Sequence, residues 1–97
     1  MAKYRKKPVV VEAFQYDGDL MARDGKFYVP DWAEKACEEG ILFYGNGTRE
    51  KAPWELYIKT LKGILFVNVG DYVIQGVKGE IYSCKPDIFE MTYEKVD

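Results

Sequence analysis

From Gly70 to Glu94 the chain switches between turn-forming and strand-forming residues every few positions, which restricts it to short strands joined by tight turns. Gly70-Asp71 reads as a turn, and Tyr72-Val73-Ile74-Gln75 as a β-branched and aromatic strand. Gly76 to Gly79 is a second turn whose glycines supply positive φ, and Glu80 to Cys84 is a second strand. Asp71 caps its own turn as an Asx motif. Pro86-Asp87 then bends the chain. Phe89, Met91 and Tyr93 alternate with Glu90, Thr92 and Glu94, which predicts a closing strand; a helix over 87 to 94 is the competing reading.

The rest of the chain has the same pattern with one interruption. Pro8 to Tyr16 predicts a first strand, and the unbroken apolar run Val9-Val10-Val11 predicts cover on both of its faces. Asp17-Gly18-Asp19 ends it. Asp24-Gly25 is a hairpin-type signal before a short strand at Lys26 to Val29. The interruption is a helix over 31 to 39. Asp31 is placed to cap it, with Glu34 three residues on as in a capping box, and Gly40 stops it. Trp32, Ala33, Ala36 and Cys37 form a narrow apolar stripe, and so short a helix needs a sheet to dock on, through Trp32. Ile41 to Tyr44 predicts another strand, Gly45-Asn46-Gly47 a turn, and Thr48 to Lys51 a loop. Trp54, Leu56 and Ile58 alternate with Glu55, Tyr57 and Lys59. Lys62-Gly63 turns the chain, and Ile64 to Val69 returns as a hairpin partner. The expected class is α+β: one domain over 1–97 with a mostly antiparallel, twisted or barrel-like sheet of six to eight short strands and one short helix.

Charge and residue usage narrow the function. The net charge is −2, yet Lys3, Arg5, Lys6 and Lys7 crowd the first residues, so the remainder carries −6. That balance argues against a dedicated nucleic-acid binder. No apolar run approaches a membrane span, no secretory signal opens the chain, and two distant cysteines do not make a disulfide framework. These features place the protein in a cytoplasm with Cys37 and Cys84 reduced. The chain has no histidine, which removes the commonest general base, the Ser-His and Cys-His pairs and the commonest metal ligand. No metal site, cofactor or catalytic set is expected. Glu80, Asp87 and Glu90 read as surface charges and turn caps rather than an acid–base pair. Gly76-Val77-Lys78-Gly79 lacks the Gly-Lys-Ser/Thr ending of a phosphate loop and reads as a hairpin connection.

Two segments, Tyr4 to Gly18 and Leu61 to Tyr93, resemble a family of small phage and prophage proteins. Their ends read RKKPV-x-x-EA-x-Q and GDYII-x-GVKGE-x-YPCKPDIF-x-x-TYE. This chain departs at Val69 and Ser83, where that pattern has proline, and at Tyr16, where it has tryptophan. The resemblance implies a phage or prophage setting, with the host cytoplasm as the place of action, and implies no mechanism.

The residues themselves point to binding. Lys85 precedes a proline and is confined to extended backbone. With Tyr82 beside it, and Arg5, Lys7 or Lys78 brought near, it could meet a phosphate; the alternative is a lysine that packs its stem and exposes its head. The leading expectation is a non-enzymatic binding protein that sequesters a nucleotide-type, phosphorylated ligand or a host protein; that it is a phage accessory protein, a host-takeover or anti-defence factor, is what the resemblance implies. A minor virion or morphogenesis part is the alternative, and a small carboxylate-dependent enzyme ranks third. A homodimer is expected from the exposed sheet edges of so small a chain.

Overall fold

In a computed structural model, the described residues are 2–5, 8–22, 24–45 and 55–96. Lys7, Trp54, the expected turn after Gly45 and the expected loop from Thr48 to Lys51 fall outside them. The fold is α+β, with six strands and two helices among those residues, in the order β1 (Glu12–Gln15), α1 (Asp31–Glu38), β2 (Leu42–Tyr44), β3 (Leu56–Thr60), β4 (Gly63–Val67), β5 (Tyr72–Gln75), β6 (Ile81–Cys84) and α2 (Pro86–Thr92). The strands make two antiparallel three-stranded sheets, β1-β5-β6 and β2-β3-β4, rather than one barrel-like sheet. Among the described residues each sheet is open-edged, with β6 lying beside β3 and β4.

Alternation in β3 and β4 sets the core. Leu56 and Ile58 point inward with Leu42 and Val67, and Tyr57 and Lys59 point outward. The inward side chains join Tyr16, Leu20, Ala33, Ala36 and Val73 in one buried cluster. The β3–β4 hairpin turns at Leu61-Lys62, where the Thr60 hydroxyl donates to the Gly63 carbonyl at 2.7 Å and accepts from the Lys62 N–H. Asp71 is buried and closes its own turn by reaching back, its carboxylate accepting from the Asn68 N–H at 3.0 Å. The same turn is tied to the end of β1, since Gly70 N–H donates to the Tyr16 carbonyl and Tyr16 N–H to that of Asp71.

Helix α1 starts differently from expectation. Pro30, in extended backbone, takes the N-cap position, and Asp31 is the first helical residue with no side-chain cap bond. One position inside the helix, its carboxylate acts through the helix dipole, together with Glu34. The C-terminus is a Schellman motif. Gly40 has φ +77°, its N–H donates to the Cys37 carbonyl, and Ile41 N–H donates to that of Ala36.

Three further expectations are corrected. β1 begins at Glu12, not Pro8, and Val9 and Val10 are exposed rather than covered on both faces. Its partner β5 ends at Gln75, opposite Glu12, so this sheet leaves no strand for Pro8 to Val11 to pair with. The expected strand at Lys26 to Val29 is reduced to a single bridge between Met21 and Phe27 around the Asp24-Gly25 turn. The expected closing strand over Phe89 to Tyr93 is instead the helix α2. Pro86 sits in its first turn, where a missing N–H costs nothing. Phe89 and Tyr93, one turn apart, stack on each other, and Phe89 stacks on Tyr72 with centroids 3.8 Å apart. Met91, the residue an alternating strand would have turned inward, is 82% exposed.

Candidate functional site

A groove of about 230 Å³ runs between α1 and the β5–β6 hairpin. One wall is a helical face: Trp32, Lys35, Ala36 and Glu39 have the i, i+3, i+4, i+7 spacing. The Schellman turn then brings Ile41 into the same wall. The other wall is Gln75 and Ile81, which are paired across β5 and β6 and so share a face, with Gly79 of the intervening turn. Gly79 has φ +85°, and a Cβ there would meet no atom within 4 Å, so this side of the groove is open. Gly76 does not adopt positive φ; the turn closes instead through Gly76 N–H to the Glu80 carbonyl and Gly79 N–H to that of Gly76.

The groove's chemistry centres on Trp32. Its indole N–H is buried and has no acceptor among the described residues. Phe14 tilts against the ring at 5.6 Å and fixes it from the β1 side. A buried donor without a partner is costly and rare in folded proteins, where most such groups are satisfied by protein, water or ligand. Lys35 offers a cation, Glu39 an acceptor, and Gln75 both donor and acceptor. Among the described residues Lys35 makes no ion pair and is exposed at the groove's rim.

The site residues expected from the sequence, where described, lie on different elements. Lys85 is the exposed N-cap of α2, with the extended backbone its proline neighbour demands (φ −64°, ψ 146°). Tyr82 lies on the opposite face of β6 from Ile81, and its hydroxyl meets that of Tyr93 at 3.3 Å. Burial and then that bond push the Tyr82 phenol up to about 12. Lys78 is exposed in the turn next to Gly79, at the groove's end, and Arg5 is exposed in the segment before β1. Lys7 lies outside the described residues. None of Lys85, Tyr82, Lys78 or Arg5 lines the groove. Glu80, Asp87 and Glu90 are exposed, and the Glu80 carboxylate accepts from the Lys78 N–H.

Two features have no sequence signal. One is the groove itself, which forms only where α1 lies beside the β5–β6 hairpin. The other is a tyrosine–aspartate network around the turn after β1. Tyr28 donates to Asp17 and Tyr44 to Asp19, each at 2.8 Å, while Asp19 also accepts from the Leu20 and Met21 N–H groups. Burial, with the nearby Asp19, pushes the Tyr16 phenol well above its ordinary range. These groups are engaged in holding the loop. The Cys37 thiol, on α1, is pushed up to about 11 by burial and by Glu34 and Glu38, which keeps it protonated and poorly nucleophilic at neutral pH. Among the described residues no group of His, Cys, Asp and Glu is arranged to hold a metal ion. No helix among them is long and apolar enough to cross a membrane. Comparison of the chain with protein-family models, with curated proteins and with solved structures finds no match.

Proposed function

We propose that this chain is a non-enzymatic binding protein whose α1/β5–β6 groove holds part of a nucleotide-type ligand. The observation that supports this reading is a groove lined by both apolar and polar side chains, with Trp32 in its wall, whose buried indole N–H has no acceptor among the described residues. Binding pockets for whole small molecules span about 300–1,000 Å³, so this groove suits a base-sized group rather than a complete nucleotide. A flat, acceptor-bearing ring beside Trp32, Ile41 and Ile81 satisfies the indole N–H. Gln75 and Glu39 then read its polar edge, and a phosphate left outside meets Lys35 and Lys78. The phage or prophage setting, and with it an action on host functions in the host cytoplasm, rests on the sequence resemblance alone.

The test is native mass spectrometry of the protein purified gently from expressing cells, followed by titration with mononucleotides and cyclic dinucleotides. Trp32→Phe keeps an aromatic ring and removes the donor. Binding about 10-fold weaker in that variant, with an unchanged melting temperature, is the expected result for one buried hydrogen bond worth about 1–1.5 kcal/mol. No adduct and no binding across the panel sinks the reading.

A second reading, an assembly or virion component that works through protein contacts, is favoured by a different observation. β4 is an edge strand whose Ile64, Leu65 and Phe66 are all exposed.

A further inference from the structure

Among the described residues, two parts of this chain are left uncovered within one molecule, and each supplies what the other lacks. The first is the free edge of β4. Among the described residues it pairs only with β3, so its other side presents unpaired backbone groups. From Gly63 to Gly70 there is no charged residue and no proline, the devices that normally protect a sheet edge. Ile64 is 61% exposed, and Leu65 and Phe66 are exposed with it. The second is the segment leading into β1. Pro8 to Val11 is rich in β-branched residues that favour a strand, yet Val10 is 75% and Tyr4 94% exposed. Its own sheet offers it nothing, because β5 ends opposite Glu12.

We propose that a second copy of this chain covers both: the segment before β1 of one protomer adds as a fourth strand on the β4 edge of its partner, and the partner reciprocates. Two observations favour a second copy over another occupant. Donor and acceptor are on the same chain, so one two-fold axis satisfies both at once. The area is of the right order, since complete burial of Tyr4, Val9, Val10, Ile64, Leu65 and Phe66 would remove roughly 700 Å² per protomer, within the range of about 600–1,000 Å² per partner in a standard interface. Strand addition also supplies main-chain hydrogen bonds along the edge, with alternate valines meeting alternate β4 side chains. The inference is independent of the groove, which none of these residues lines.

The experiment is analytical ultracentrifugation of the full chain over a concentration series, for the wild type, Val10→Pro and Leu65→Lys. Val10 lies outside every helix and strand, so proline there removes a strand donor without touching the core. A wild-type dimer whose dissociation constant rises at least tenfold in each variant is expected. A Val10→Cys chain mixed with an Ile64→Cys chain should then form an interchain disulfide between those two positions, located by mass spectrometry, that neither chain forms alone. A monomeric wild type overturns the proposal. So does a dimer that survives Val10→Pro and is lost only with Leu65→Lys, which would mean β4 pairs with β4. A dimer sensitive only to Val10→Pro overturns it too, because the arm would then dock elsewhere.

Discussion

The two sheets are built from similar short, aromatic-rich strands, yet among the described residues one is enclosed and the other is open. In β1-β5-β6, Phe14, Val73 and Ile81 face the main core and Trp32 of α1. The opposite face is closed by α2, where Phe89 stacks on Tyr72 and Tyr93 meets Tyr82, over the fully buried Ile74. In β2-β3-β4 the described residues cover only one face. Across its outer face Phe43, Tyr57 and Phe66 form an aromatic row, with centroid spacings of 5.7 and 5.4 Å. The difference comes from the element that succeeds each sheet along the chain. The strand β6 runs straight into a helix that folds back, whereas β4 leads by a turn into the other sheet. Strand sequence alone therefore does not set how much of a sheet is buried.

The sharpest challenge to that contrast is a pair of isoleucine truncations within the open sheet. Ile58→Ala, on the covered face, should cost about 3 kcal/mol by cavity formation. Ile64→Ala, on the uncovered side, should stay within about 0.5 kcal/mol when urea unfolding is run at low protein concentration. Equal costs would mean that the outer side is covered after all. Phe89→Ala should cost about 2 kcal/mol by the same measurement, through lost area and two lost ring contacts. A negligible cost would reduce α2 to an ornament and make the sheets alike. Gly40→Ala strains the Schellman turn that carries α1 into the groove wall. It should lose about 1 kcal/mol, seen as a melting temperature lower by about 4–8 °C.

The smallest effect concerns pH. The Tyr82 phenol is raised from 10.0 to about 12, and the Cys37 thiol from 9.0 to about 11. Both are raised, so the stability they confer is fully present below the ordinary values and is lost as pH rises through the folded ones. The melting temperature should fall by a few degrees between pH 9 and 12, and Tyr82→Phe should flatten the upper part of that fall. An unchanged slope in Tyr82→Phe would show that the enclosed face does not hold its phenol neutral.

Much of this architecture is legible in the residues. Tyr72 to Gln75 is a strand bounded by glycine turns, and it is observed over those residues. The alternation of Leu56 and Ile58 with Tyr57 and Lys59 correctly separates inward from outward. The helix expected over 31 to 39 is found at 31 to 38. Phe89, Met91 and Tyr93 mislead because period two and a one-turn spacing coincide at Phe89 and Tyr93; the proline start signal is the better guide. Val9 to Val11 mislead for a non-local reason, since cover there depends on how far β5 extends. The groove is illegible because it exists only once α1 and the β5–β6 hairpin are brought side by side. Trp32 reads as an anchor, which its contact with Phe14 supports, and its polar edge carries no pattern.

The pairing of Glu12 with Gln75 has a consequence for how the chain is made. Sheet β2-β3-β4 includes a local hairpin that can close as soon as Val67 has emerged from the ribosome. Strand β1 is synthesised first but must wait for β5, separated from it by most of the chain. Closing so long a loop slows folding and leaves early apolar segments unprotected. During that interval the nascent protein displays the β4 edge and the valine-rich start together, so co-translational encounters between neighbouring chains, and the chaperones that delay them, bear on this molecule more than its small size implies.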